Sequence, residues 1–252
     1  MPLALLQLTL DPPPRQALER AFAASAWRTR LDGVFAWRDA YGVLAKGLTA
    51  DAAAELQGLL RAEGVETEIV DQARQPELPT LRRTRRVEPH ATHLELADAL
   101  GRPVRLEWDQ VRIIAAGLVY WHEVRSSRRE TVVGYGRNGA IVVNVQQDVE
   151  NRGARLGLEV VSHELRFRAM ADELLSRRGP TDRPTWAANF VQTVRELLRR
   201  APQAGANRGA VALAMEPPAT FTYPSRHSFE EETRWLLWRL RPGAADAAAG
   251  AI

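Results

Sequence analysis

Residues 131–148 read "TVVGYGRNGAIVVNVQQD". Two β-branched runs flank Asn138-Gly139, a pair suited to the type I′ turn of a tight hairpin. An antiparallel strand pair in the middle of the chain excludes an all-helical fold. The surrounding segments extend the β-rich part. "HLELADALGRPVRLEWDQVRII" (93–114) gives a strand, a turn at Gly101-Arg102, a second strand and a W-x-x-V step. "LGLEVVSHELRFRAM" (156–170) gives two more strands around Ser162–Glu164. Two helices then follow, over 185–200 and 228–240. The first carries an apolar stripe of Trp186, Phe190, Val194, Leu197 and Leu198. The second is expected to start with a capping box made by Ser228 and Glu231. Strands followed by helices argue for an α+β class.

The first 75 residues have a different rhythm. "LALLQLTL" (3–10) reads as a strand, with Asp11 a plausible N-cap for the helix after "DPPP". "RQALERAFAASAW" (15–27) places Leu18, Phe22 and Trp27 on one helical face, and 29–40 suggests a short second helix. "YGVLAKGL" (41–48) reads as a strand. Thr49 caps a helix with Leu56, Leu59 and Leu60 facing inward, and Gly64 stops it. "VETEIV" (65–70) alternates as a strand with Val65, Thr67 and Ile69 on one face. This is a small α/β sandwich containing a strand–helix–strand unit.

"LAKGLTADAAAELQGLLRAEGVETEIV" (44–70) resembles the C-terminal domain of the bacterial ribosomal stalk protein, whose fold the adaptor of the Clp protease shares. The resemblance rests on the strand, the G-L-T helix start, the Ala and Leu spacing, and the Gly before the last strand. It covers about a quarter of the chain and implies a protein-contact fold without catalysis. "LELADALGRPVRLEWDQVRII" resembles the strand–turn–strand–W-x-x-V of pleckstrin-homology-like bacterial domains, antiparallel barrels closed by a C-terminal helix. That resemblance implies an interaction module. The basic loop that lipid-binding members need is missing, because "ADALGRP" carries one Arg and one Asp. The whole chain resembles bacterial proteins of this two-part design.

Between the two parts, "DQARQPELPTLRRTRRVEPHA" (71–91) has no periodicity, holds Pro76, Pro79 and Pro89, and reads as a linker over 76–91. Arg82, Arg83, Arg85 and Arg86 could touch nucleic acid. No aromatic residue interleaves with them to form a stacking platform. The pI is about 9.8, yet the net charge is only +3 and Lys46 is the only lysine. Arginine-rich, alanine-rich usage is what a GC-rich genome produces, so the pI is discounted as a sign of nucleic-acid binding. The composition is 45% hydrophobic and 26% charged over 252 residues, long enough for two small domains. There is no cysteine, which excludes disulfides and thiol catalysis. The N-terminus lacks a secretory pattern and no apolar stretch is long enough to span a bilayer, so a cytoplasmic location without a membrane span is expected. Residues 242–252 read as a disordered Ala-rich tail.

Five patterns invite chemistry. "GYGRNG" (134–139) matches G-x-G-x-x-G, but a strand follows where a dinucleotide site needs a helix. The pairs His122-Glu123 and His163-Glu164 open the zincin pattern H-E-x-x-H, but Ser126 and Phe167 stand where its second histidine belongs. The two pairs could still form a metal site if the strands bring them together. "HATH" (90–93) lies at a linker–strand junction beside Pro89, which argues against a metal. Ser225, His227 and Ser228 precede "FEEE", but members of a Ser/His/acid triad usually converge from separate loops. On helix 228–240, Phe229, Leu236, Leu237 and Leu240 form one face while Trp235 and Trp238 fall largely on the other. Such a helix is either sandwiched in a core or offers one side to a partner. Trp235, Trp238, Arg234 and Arg239 are the candidate partner contacts.

These readings lead to a non-enzymatic protein-interaction or regulatory protein, with an unknown protein or a second copy as partner and no cofactor. The alternatives are a metal-dependent hydrolase using the His-Glu pairs, and a nucleic-acid binder using the arginine run.

Overall fold

The computed structural model describes residues 1–98, 100–136, 139–174 and 183–241, with the side chains of 121–152 and 183–186 left aside. The expected tail at 242–252, and the turn residue Asn138, lie outside the described residues. The class is α+β, and the strands form three open sheets. The barrel expected for the second part is not formed among the described residues.

The N-terminal module runs β1 (Leu3–Gln7), α1 (Arg15–Ala24), α2 (Arg30–Arg38), β2 (Val43–Leu48), α3 (Ala50–Ala62) and β3 (Thr67–Asp71). Its sheet has the order β2-β1-β3, with β1 antiparallel to both neighbours. β2 and β3 are therefore parallel, and α3 is the crossover between them. Thr49 caps α3 by accepting a hydrogen bond from Ala52 N–H, and the chain leaves the helix at Gly64 with φ +77°. Asp11 is not the cap of α1: the helix starts one turn later, after Pro14, with no side-chain cap. α2 opens with a capping box between Thr29 and Asp32. Leu5 packs with Leu18, Phe22, Leu56 and Leu60 under the helices. Its neighbours Ala4 and Leu6 face the opposite way, into a second core. A strand apolar on both faces must be covered on both.

The expected linker is stitched into the structure. A single 3-10 turn (Gln72–Arg74) follows β3, then β4 (Leu81–Arg83) and β5 (Val87–Pro89). β4 pairs in parallel with β10 (Arg166–Met170), and β5 is the edge of a small sheet with β6 (His93–Ala97) and β7 (Pro103–Glu107). Strands of three residues are too short to show a period, which is why this stretch reads as unstructured.

The rest is built on β8 (Ile113–Gly136) and β9 (Gly139–Val161), which pair antiparallel along their whole length, with a bulge between Val132 and Gly134. The hairpin expected at 131–148 is therefore the outer end of a much longer ribbon. After β10 come α4 (Arg183–Arg200), β11 (Gly205–Ala206), α5 (Arg208–Ala214), β12 (Thr222–Tyr223) and α6 (Arg226–Arg239). The large sheet has the order β11-β8-β9-β10-β4, with β12 also on β8. Its two faces follow the period of two. Ile114, Ala116, Leu158, Val160 and Phe167 pack against Phe190, Val194 and Leu197 of α4. Ile113, Ala115 and Val161 join Ala4, Leu6, Tyr41 and Val70 of the first module, with Phe229, Trp235 and Leu237 of α6 among them. α6 is thus shared between the two sheets.

Candidate functional site

The tryptophan helix was the first candidate, and it is an internal joint. Trp235 is 6% and Trp238 8% exposed. The Trp235 indole N–H donates to the Gln7 carbonyl at 2.9 Å, and that of Trp238 to Glu68 at 3.2 Å. Arg239 and Arg241 both reach Glu68, and Arg241 stacks on the Trp238 ring. Arg234 lines a small depression with Gln75, Glu231 and Trp238. Trp235, Trp238 and Arg239 are therefore spent on the chain's own first module, while Arg234 stays half-exposed at the rim of the joint. A two-faced helix is sandwiched here because both of its neighbours present an apolar sheet face. α6 begins two residues before the expected start, with Ser225 in place of Ser228 as its cap, accepting from Ser228 N–H.

Buried charges reinforce this joint. Glu232 is fully buried and accepts from the Arg208 side chain and backbone N–H, while Arg208 also donates to the Ala40 carbonyl. Lys46 pairs with Glu231. Tyr223 is fully buried, accepts from Asn207 and Gly209, and burial pushes its phenol well above the usual range. On the large sheet, Glu159 is fully buried between Arg166 and Arg168, both of which also reach Glu230. Burial pushes the Glu230 carboxyl up, but Arg226 and Arg166 outweigh it and hold it at about 2. These are paired and hydrogen-bonded ions with structural work to do.

The other sequence candidates do not assemble. Ile113 pairs with Val161, and His122 lies nine residues farther along β8, opposite Arg152. At about 3.4 Å per residue, the backbone separates His122-Glu123 from His163-Glu164 by roughly 30 Å. The two pairs do not share an ion, and His163 and Glu164 sit exposed in the turn between β9 and β10. Gly134, Gly136 and Gly139 belong to the ribbon itself, with no helix following. The Ser225 hydroxyl is engaged with Ser228, while His227 is 73% exposed and faces Glu231 instead. Arg82, Arg83 and Arg85 are exposed on β4 and after it, whereas Arg86 is held by Glu88 and Glu95. The open groove between α4 and α5 is lined by Leu198, Val211, Met215 and other apolar residues, so it offers no catalytic group.

Two features escaped the sequence reading. The first is the ribbon's length. Beyond Tyr120 and Ala154, β8 and β9 pair only with each other among the described residues. Fifteen residue pairs at about 3.4 Å each give an arm of roughly 50 Å. Its base is fastened by Arg155, which binds Asp172 and Glu173. The second is the outer face of the β5–β6 hairpin, which adds Glu88 and Glu95 to the histidines of "HATH". "EPHATHLE" (88–95) is a mirrored pattern, Glu-x-His-x-x-His-x-Glu. Glu88 pairs with Glu95 and Pro89 with Leu94 across the hairpin, and His90 N–H donates to the His93 carbonyl at its end. Ligand atoms of His90, His93 and Glu95 all lie within 4.8 Å of one another. The period of two applied about a two-residue turn would have found this set.

No helix of the described residues is long and apolar enough to cross a membrane. No family model, no curated protein and no solved structure matches this chain.

Proposed function

We propose that this chain is a non-enzymatic binding protein whose contact element is the β8–β9 arm. The observation that carries the reading is the run of 121–152 in which each strand pairs only with the other among the described residues. Unpaired strand edges are templates for adding a further strand. A two-stranded hairpin on its own is marginally stable in water, so an arm of this length is best supported with a third strand laid along it. The edge of β9 is suited to that, because "AIVVNV" (140–145) is rich in β-branched residues and carries no charge. The β–α–α–β–α–β order of the first module is consistent with the protein-contact fold that its sequence resembles. The hydrolase reading loses support from the separation of the His-Glu pairs, and the nucleic-acid reading from the capture of Arg86 by glutamates.

The test is an arm-shortened variant in which an Asn-Gly turn joins Tyr120 to Ala154, its partner in the ladder. Sedimentation velocity across a concentration series, with hydrogen exchange on the arm, compares it with the full chain. The expected result is concentration-dependent association and arm protection in the full chain, both lost on shortening. Constant mass with unprotected arm amides at every concentration rejects self-association through the arm. Val143→Lys with Val145→Lys should then reproduce the loss, since charge on an edge blocks strand addition.

A further inference from the structure

We propose that the outer face of the β5–β6 hairpin binds one divalent transition-metal ion of the zinc class, through His90, His93 and Glu95. Leu94 and Leu96 point into the core, so His93 and Glu95 take the outward positions of β6. The two-residue loop Ala91–Thr92 places His90 directly across from His93. Their rings stack with centroids 4.7 Å apart and planes 15° from parallel, so the two imidazoles are adjacent and a side-chain rotation turns their in-plane lone pairs toward one ion.

The Nε2 atoms of both histidines are buried and have no hydrogen-bonding partner among the protein groups. Buried polar atoms ordinarily find a partner. His93 is held from its other side, its Nδ1 lying 3.0 Å from the Thr92 hydroxyl. An outer contact on one ring nitrogen that leaves the other free is the arrangement seen around ligating histidines. An ion with tetrahedral bonds of about 2.0–2.2 Å holds its ligand atoms about 3.3–3.6 Å apart, so these groups, all within 4.8 Å of one another, close on it by side-chain movement alone.

The donor set selects the class of ion. Two imidazoles and one carboxylate suit zinc and its neighbours, whereas magnesium and calcium call for oxygen ligands. Glu88 has an oxygen 3.8 Å from His90 Nε2 and stands close enough to add a fourth ligand. The competing groups are cations. Arg86 pairs with Glu88 and Glu95, and Arg105 lies 3.8 Å from Glu95. Arg86 is 42% and Arg105 69% exposed, so both can turn to water when an ion takes the carboxylate, or keep its second oxygen.

The test uses the full chain, stripped with a chelator and titrated with Zn²⁺ by calorimetry and with Co²⁺ by visible absorption. The expected result is one ion per chain and a cobalt spectrum with nitrogen–oxygen ligation. His90→Ala and His93→Ala should each weaken binding by more than about 10–100-fold, the range for loss of a mere outer partner. His163→Ala with His227→Ala should leave it unchanged. Ring ¹⁵N resonances provide a measurement without substitution: the signals of His90 and His93 should shift with Zn²⁺. Binding that survives loss of both hairpin histidines, or no shift of those two rings at millimolar zinc, overturns the site.

Discussion

Trp235→Ala separates an internal joint from a partner surface. The indole is 6% exposed and sits between Leu6 of the first module and the sheet under α6. Burying a tryptophan removes up to about 250 Å² from water. At about 25 cal/mol per Å² this sets an upper estimate of roughly 6 kcal/mol. Truncations of buried Phe and Trp to Ala cost about 3–5 kcal/mol, because the cavity partly collapses. The Gln7 carbonyl also loses its donor, adding about 1 kcal/mol where water does not replace it. The expected loss is therefore about 4 kcal/mol, a large part of a typical stability of 5–15 kcal/mol. Urea denaturation followed by far-UV circular dichroism measures it, with Trp27→Ala as the comparison. Trp27 is 64% exposed, and its removal should change stability by no more than about 0.5 kcal/mol. A loss below about 1 kcal/mol for Trp235→Ala, accompanied by a fall in sedimenting mass, would refute the placement of α6 and restore the partner surface.

Other expectations follow from the same packing. Gly42 has φ +89°, and a Cβ there would lie 2.3 Å from Trp235 Cγ. Gly42→Ala should cost about 2–4 kcal/mol by thermal melt, combining left-handed strain with overpacking. Glu159→Gln leaves Arg166 and Arg168 with only Glu230 between them, and should cost about 3–5 kcal/mol in urea. Glu230 is held at about 2 in the folded chain, below its ordinary value of 4.5. A depressed carboxylate contributes its full stabilisation above pH 4.5 and loses it as pH falls toward 2. Melts between those limits should show a loss of stability that is smaller in Glu230→Gln by up to about 3 kcal/mol, the remainder coming from Glu196 and the other carboxylates held low.

The elements that could be read from the sequence are those with local causes. Thr49 and Gly64 bracket α3 because capping and left-handed stops depend on residues within one turn. The hairpin at 131–148 was visible because its alternation and turn chemistry are local, and Gly136 pairs with Gly139 at the end of the ribbon. β4 was invisible because its partner, β10, lies more than 80 residues away and three residues carry no period. α6 showed both of its apolar faces, but a helix cannot announce whether its neighbour belongs to the same chain. The His-Glu face at 88–95 is hard to read for a related reason: β5 is three residues long and runs into a two-residue loop, so its alternation does not stand out beside Pro89. The His122 and His163 pairs, which look alike in sequence, lie at different heights of one strand pair. Only register distinguishes them.

The shared position of α6 has a consequence for how the chain is made. The first module is complete in sequence at Asp71, yet one face of its sheet is closed by Trp235 and Trp238, near the last residue described. Synthesis proceeds at about 5–20 residues per second, so roughly ten to thirty seconds pass before that face can be fully covered. Until β8 emerges, Ala4, Leu6 and Val70 form a bare apolar surface on a nascent chain, and Ile113, Ala115 and Val161 can then cover part of it. The native cover of that face is complete only once α6 has been made.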